Sequence, residues 1–174
     1  MLVHRTRVVF VGVIVAGLSA ACAGEEGELP EVTRANPIIP LDSGVVRVET
    51  ATDTVKVDVE IAETPEQKST GLMEREVLGA DEGMLFVYEE DQSASDPFYM
   101  FRTKISLDIA FMDSTGEVVA IRQMQPCTSP APQWCERYPP GVPYRSALEV
   151  NLGFFEQHGV GIGDRVVLAE TSGS

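Results

Sequence analysis

Apolar and polar residues alternate most regularly between residues 54 and 62. The stretch TVKVDVEIA places four β-branched residues on one side and charged residues on the other. A period of two with β-branched residues is typical of a half-buried strand. Further apolar runs occur in MLFVY, FYMF, LDIAFMD, EVVAIRQM, RSALEVN and GIGDRVVLAE. The pattern therefore predicts about seven short strands.

Two short helices are predicted between these strands. Residues 64–67 (Thr-Pro-Glu-Gln) combine a capping residue, a proline at the first helical position and a glutamine that completes a capping box. This helix is expected to end near Met73 or Arg75. The stretch LGFFEQHG predicts a second helix, with Asn151 as its cap and Gly159 at its end.

Many short strands with few helices favour a mainly β fold with two short helices, either sandwich-like or a partly open barrel, in a single domain. The Ser-Thr-Gly step between LDIAFMD and EVVAIRQM predicts a hairpin. The chain has 174 residues, with 44% hydrophobic and 23% charged residues. This length and composition are typical of one globular domain.

The N-terminus has the layout of a secretory signal peptide of the lipoprotein type, residues 1–21. Basic residues precede an apolar stretch from Val8 to about Leu18, and LSAAC resembles a lipobox. Cys22 is then the predicted lipidation site. Ordinary signal cleavage after Ala23 is the alternative, which would release a secreted protein.

The remaining chain divides into three predicted parts. Residues 22–44 are polar and broken by proline, which predicts a flexible acidic tether. Residues 45–170 form the predicted β-rich domain, and residues 171–174 a disordered tail. The expected location is the cell envelope, in the periplasm or on the outer surface, with the N-terminal lipid in the membrane.

The chain is strongly acidic, with 13 Lys and Arg residues against 27 Asp and Glu residues and a net charge of −14. A surface of this sign repels phosphate backbones, so no nucleic-acid partner is expected.

Cys127 and Cys135 are predicted to form a disulfide, since an exported chain meets an oxidising environment. Closing this loop contributes roughly 2.5 kcal/mol by the chain-entropy estimate. The surrounding prolines prevent a helix or a central strand there. The spacing is not Cys-x-x-Cys, which disfavours redox catalysis, and no histidine lies nearby to complete a metal site.

Four separated motifs resemble the domain of unknown function 192 family. They are Thr-Gly-Leu-Met (70–73), Glu-Gly-Met-Leu-Phe (82–86), Phe-Tyr-Met-Phe-Arg-Thr (98–103) and Leu-Asp-Ile-Ala-Phe (107–111). The family pattern has tryptophan where this chain has Tyr99, and Lys-Asn where it has Phe101-Arg102. The resemblance implies a β-rich, sandwich-like fold and no particular activity.

Two carboxylates are candidates for chemistry. Asp108 lies between apolar residues of a predicted strand, where a structural ion pair with Arg75 or Arg102, or a capped turn, is the favoured interpretation. Glu149 lies on another predicted strand. If Asp108 and Glu149 faced one cleft, they would form an acid–base pair suited to a hydrolase or lyase acting on envelope material.

An aromatic cluster suggests a binding site instead. Phe98, Tyr99 and Phe101, with Trp134 and Tyr138, have the character of a ligand groove, and the proline-rich disulfide loop is the expected lid. The predicted contact residues are Arg75, Tyr99, Arg102, Asp108 and Trp134.

Other residues with chemical potential are better explained as structure. Five methionines lie at apolar positions, which favours core packing over Cu(I) binding. They are Met73, Met84, Met100, Met112 and Met124. His158 ends a short helix, and the common hydrolase and nucleotide-binding motifs are missing. The sequence therefore predicts an envelope domain that binds a ligand or partner, with no cofactor, no metal and no clear enzymatic activity.

Overall fold

The computed structural model describes residues 39–172. The predicted signal peptide, Cys22 and most of the predicted tether lie outside this range. The described chain contains seven strands and two short α-helices. The strands are β1 (Asp42–Glu49), β2 (Thr54–Ala62), β3 (Glu82–Gln92), β4 (Leu107–Met112), β5 (Val118–Met124), β6 (Tyr144–Asn151) and β7 (Arg165–Ser172).

All seven strands belong to one sheet with the order β5-β4-β6-β3-β2-β1-β7. Only the β2–β3 pair is parallel, and the first helix, α1 (Pro65–Thr70), lies on the connection between these strands. The sheet is curled into a half-barrel, which confirms the prediction of a mainly β fold. Of the two predicted architectures, sandwich-like or partly open barrel, the structure has the second.

The edge strands β5 and β7 meet at one end of the sheet. The backbone N–H of Val118 donates to Asp164 at 2.7 Å, and that of Val166 donates to Gly116 at 2.8 Å. Gly116 has a φ of +83°, and a Cβ atom there would lie 2.4 Å from the Val166 carbonyl oxygen. Only glycine therefore fits this closure.

The sheet has a separate hydrophobic core on each face. The inner core takes residues from all seven strands and is filled by Phe154, Phe155 and Val160, in and just after the second helix. The outer core covers mainly β3 to β6 and is completed by residues from the connecting segments. Met84, Met100, Met112 and Met124 are buried in these cores, which confirms the packing interpretation for these four.

Helix α1 begins as predicted, with the full capping box between Thr64 and Gln67. It ends earlier than predicted, at Thr70, because Gly71 turns the backbone to a φ of +47°. The second helix, α2 (Phe154–Gln157), is shorter than predicted. Asn151 does not cap it, because Asn151 belongs to β6 and its side-chain amide donates to the carbonyls of Leu78 and Gly79.

Three other segments differ from the sequence prediction. Strand β1, which the sequence pattern does not predict, begins at Asp42, inside the predicted tether. Strand β7 extends to Ser172, inside the predicted tail. FYMF forms no strand and makes only isolated bridges at Phe98 and Phe101. No helix among residues 39–172 is long and apolar enough to cross a membrane.

Candidate ligand-binding pocket

The disulfide loop packs across the FYMF segment on the outer face of the sheet. Cys127 and Cys135 are bonded, as predicted. Phe98 and Tyr138 exchange two backbone hydrogen bonds, of 3.3 and 2.9 Å, and the N–H of Arg102 donates to Cys127 at 2.9 Å. The loop therefore holds the aromatic segment in place without either segment forming a regular strand.

Phe98 is the centre of an aromatic cluster beneath this loop. Its ring centroid lies 5.1 Å from that of Phe86 and 5.5 Å from that of Phe111, in edge-to-face contacts. Tyr144 lies 5.0 Å from Phe111 and 5.6 Å from Tyr88, again edge to face. Edge-to-face pairs stabilise a fixed arrangement of rings.

A cavity of about 290 Å³ opens beside this cluster, between α1, the segment after it and the 96–103 segment. Cavities of about this size and upward hold small molecules in many proteins. We call it the aromatic pocket. Its principal lining residues are Phe86, Tyr88, Phe98, Tyr99, Tyr144 and Glu149.

Glu149 is the buried acid of the aromatic pocket. It is 5% exposed, and its carboxyl group has no hydrogen-bond or ion-pair partner among residues 39–172. Asp108 Oδ1 is the one side-chain nitrogen or oxygen among the described residues that is fully buried and has no hydrogen bond. The carboxyl oxygens of Glu149 also have no hydrogen bond, so they must remain slightly accessible from the surface. Burial raises the pKa of Glu149 to about 8, so the group is mostly protonated at neutral pH.

Asp108 lies on the opposite face of the sheet from Glu149. In the β4–β6 register Asp108 is paired with Val150, and Glu149 is paired with Ile109. Directly paired residues share a face and successive residues alternate. Asp108 and Glu149 therefore do not face one cleft, and the condition stated for the hydrolase or lyase alternative is not met.

Asp108 acts as a remote cap for α2. Its Oδ2 atom accepts the backbone N–H of Gly153 at 2.9 Å and that of Phe155 at 3.4 Å. Burial raises the pKa of Asp108, and the two N–H groups oppose that effect. Since helix starts have unpaired N–H groups, the capped-turn interpretation describes the geometry of Asp108.

The other predicted contact residues are dispersed. Arg75 binds Glu60 at 2.5 Å, and Arg102 binds Glu74 at the same distance, so neither arginine reaches Asp108. Trp134 lies in the disulfide loop with 67% of its surface exposed and does not line the aromatic pocket. Tyr99 is the one predicted contact that lines it, with the guanidinium of Arg137 at 4.8 Å from its ring.

A second cavity, of about 370 Å³, lies beside β1 and β2. Its charged residues are Asp58, Glu60, Glu82 and Arg75, and Arg75 is already paired with Glu60. Glu82 accepts the N–H of Gly79 at 2.8 Å. Among residues 39–172, no group of three or more histidine, cysteine or acidic side chains is arranged to hold a metal ion.

The sequence marked Glu149 as a candidate for chemistry, with Asp108 as a conditional partner, but it did not indicate the main pocket walls. Tyr88 and Tyr144 are nearly 60 residues apart in the chain, and only the β3–β6 pairing brings them together. A usable signal was present, because alternation places Glu149 on the same face of β6 as Ala147, opposite Leu148 and Val150.

Residues 39–172 form a small half-barrel domain with an aromatic-lined cavity of about 290 Å³ on its outer face. Residues 46–168 match the DUF192 family, described as "Uncharacterized ACR", and the chain belongs to this family. Comparison with curated proteins gives no match.

Two solved structures are similar over most of the described chain. A protein from Sinorhizobium meliloti 1021, named as a candidate transcription regulator, is 31% identical with a TM-score of 0.66 and covers 75% of this chain and 96% of its own. A protein of unknown function from Novosphingobium aromaticivorans DSM 12444 is 29% identical with a TM-score of 0.64, and covers 75% of this chain and 89% of its own.

Proposed function

We propose that this protein is an exported, lipid-anchored domain that binds a small organic ligand in the aromatic pocket. The observation that carries the binding function is Glu149, a buried carboxyl group that lines an aromatic cavity and has no partner among residues 39–172. An unpaired buried carboxyl costs stability. A ligand that bonds to it relieves that cost.

The site proposed here differs from the site predicted from sequence. Tyr99 is retained, Glu149 replaces Asp108 as the polar anchor, and Trp134, Arg75 and Arg102 lie outside. A pocket with aromatic walls and few polar groups is the usual form of a small-molecule site. Acid catalysis on a glycan needs a second carboxylate across the cleft, and Asp108 is on the other face.

Binding is tested with three probes of similar shape: choline, its uncharged carbon analogue neohexyl alcohol, and the anion of tert-butylacetic acid. Binding of any probe shifts the amide NMR signals of residues around Glu149. Affinities in the millimolar range are expected, because each heavy atom of a small ligand contributes roughly 0.3–1.5 kcal/mol. If none of the probes shifts these signals, the binding function is wrong.

Tyr99→Ala and Trp134→Ala form a matched pair for this test. Both substitutions remove a partly or largely exposed aromatic ring near the disulfide loop, but only Tyr99 lines the aromatic pocket. Tyr99→Ala is expected to weaken probe binding several-fold, while Trp134→Ala leaves it unchanged. Equal effects would mean that the probes bind to the loop rather than in the pocket.

The location proposed for the protein rests on two features. The first is the basic and apolar leader that ends in LSAAC, with Cys22 as the lipidated residue. The second is the Cys127–Cys135 bond, since disulfides persist outside reducing compartments. Mass spectrometry of the mature N-terminus, with a count of free thiols in native material, tests both: an intact leader or two free thiols would contradict export.

The charge of this chain disfavours a DNA-binding role, although the Sinorhizobium protein is named as a candidate transcription regulator. DNA binding requires cationic groups that replace counterions along the phosphates. The net charge of −14 opposes such contacts. We propose that the chain has no nucleic-acid partner, and a gel-shift assay at low salt with nonspecific duplex DNA would reveal one.

A further inference from the structure

We propose that the ligand of the aromatic pocket is a small organic cation, such as a quaternary or primary ammonium ion, whose charge pairs with Glu149. This inference rests on the binding function proposed above and specifies its ligand class. It is carried by the position of Glu149, the aromatic walls and the charge of the surrounding protein.

The pocket rings already attract cations from the protein itself. The ammonium of Lys68 lies 4.4 Å from the centroid of Tyr88, and the guanidinium of Arg137 lies 4.8 Å from that of Tyr99. These are the two cation–π contacts found among residues 39–172, and both involve rings of the aromatic pocket. Aromatic rings attract cations because the ring face is electrically negative.

The base of the pocket supplies the opposite charge. Glu149 is the buried acid there, and its strand neighbours Met84 and Ile109 are apolar. Lys68 lines the same pocket but bonds to the carbonyl of Val87, so a ligand cation would be the first charged group to pair with this carboxylate. Lys68 is the one lysine or arginine among the residues that line the pocket, and it already donates to the carbonyl of Val87 at 2.9 Å, so an anionic ligand finds no free cationic partner in this lining.

The whole protein favours the same class of ligand. With a net charge of −14, the surface concentrates cations and repels anions before they reach the pocket. The aromatic cluster gives a rigid wall rather than a flexible one, which suits a compact ligand head group.

Cation binding has a proton consequence. A cation stabilises the ionised form of Glu149, whereas the empty pocket stabilises the protonated form. Binding near neutral pH therefore expels one proton from the carboxyl group to solvent. The other charged or titratable groups that line the pocket are Lys68, Tyr88, Asp96, Tyr99 and Tyr144. Burial raises the pKa of both Tyr88 and Tyr144, which keeps these two phenols neutral throughout the range considered.

The test is calorimetric titration of the full-length protein with choline, which carries a fixed positive charge at every pH. Only the ionised fraction of Glu149 is competent, so the affinity for choline is expected to rise about tenfold between about pH 7 and about pH 9. At about pH 7, the binding enthalpies measured in phosphate and in Tris should differ, because nearly one proton per site is taken up by the buffer. The difference should equal the difference between the protonation enthalpies of the two buffers.

Three comparisons decide between outcomes. Glu149→Gln should abolish both the rise in affinity with pH and the proton release, and Glu90→Gln, an exposed acid on β3, should preserve both. Neohexyl alcohol should bind at least several-fold more weakly than choline at the higher pH. If the alcohol binds as well as choline, or choline affinity does not change with pH, the cation inference is wrong while pocket binding stands. If neither compound shifts the pocket signals, the binding function itself is wrong.

Discussion

Glu74 and Arg102 are the two non-glycine residues among residues 39–172 with positive φ, at 61° and 58°, and they bind each other. The N–H of Glu74 donates to the Arg102 carbonyl at 2.8 Å, and the side chains form an ion pair at 2.5 Å. Their chain neighbours Met73 and Thr103 line the aromatic pocket. Residues in this left-handed region carry local strain and often lie next to functional sites.

The strain at position 102 predicts how the fold responds to substitution there. Asparagine tolerates the left-handed conformation, whereas a β-branched residue does not. Arg102→Asn is therefore expected to fold with a stability close to that of the wild type. Arg102→Val should lower the free energy of unfolding by about 1–2 kcal/mol. Urea denaturation of both variants checks this, and equal stabilities would contradict a conformational requirement at position 102.

Glu149 predicts a distinctive pH dependence of stability. Its folded-state pKa of about 8 lies above its ordinary value of 4.5, so the folded chain holds a proton that the unfolded chain releases between these values. The stability that the protonated Glu149 gives to the folded state is therefore fully present below about pH 4.5. As the pH rises from there to about 8, the free energy of unfolding declines by about 1.4 kcal/mol per pH unit.

Glu149→Gln removes this decline, because glutamine stays neutral. The variant should match the wild type near pH 4 and exceed it at pH 8 by on the order of 3–5 kcal/mol. Glu90→Gln, which changes the net charge equally at an exposed position, is the control. Parallel curves of unfolding free energy against pH for the wild type and Glu149→Gln would show that the carboxyl is not buried without a partner.

Asp108 predicts a structural defect without a binding defect. Asp108→Ala removes the acceptor for Gly153 and Phe155 and leaves a small cavity, which is expected to lower the free energy of unfolding by about 2–4 kcal/mol. Asp108→Asn keeps one acceptor oxygen and should cost less. Where the variants remain folded, choline affinity should be unchanged, since Asp108 and Glu149 face opposite sides of the sheet. Loss of binding in folded Asp108→Asn would contradict this separation.

The disulfide predicts a dependence of the pocket wall on redox state. Replacing Cys127 and Cys135 together with serine should lower the free energy of unfolding by about 2–3 kcal/mol, because the loop gains freedom in the unfolded chain. Tyr138, three residues after the loop closed by this bond, holds Phe98 through two backbone hydrogen bonds. The NMR signals of Phe98 should therefore shift or broaden in the double variant, while those of β1 remain unchanged.

Gly83 predicts a steric limit beside the pocket. A Cβ atom at Gly83 would lie 2.6 Å from the backbone oxygen of Glu149, whereas a Cβ at Gly161 would meet nothing within 4 Å. Gly83→Ala should therefore separate β3 from β6 and lower the free energy of unfolding by about 1–3 kcal/mol. Gly161→Ala should have little effect. Thermal unfolding of the two variants compares them, and similar melting temperatures would contradict the close approach of the strands.

The sequence by itself determined those features that depend on near neighbours in the chain. Alternation in residues 54–62 predicted β2, because the period of a strand requires no knowledge of its partners. The capping box of Thr64 and Gln67 predicted where α1 begins, since both groups belong to one turn. The Cys127–Cys135 bond was predicted from the short spacing of the two cysteines and from the oxidising environment that an exported chain meets.

Only the tertiary structure decided which distant residues meet. The faces of Asp108 and Glu149 depend on the β4–β6 register, and a shift by one residue would have placed both carboxyl groups on one side. The cap of α2 comes from Asp108, 45 residues before Gly153, so the local candidate Asn151 was misleading. The aromatic pocket likewise depends on the tertiary structure, because long-range strand pairing and the disulfide loop bring its rings together. Alternation along a single strand predicts only the face on which each ring lies.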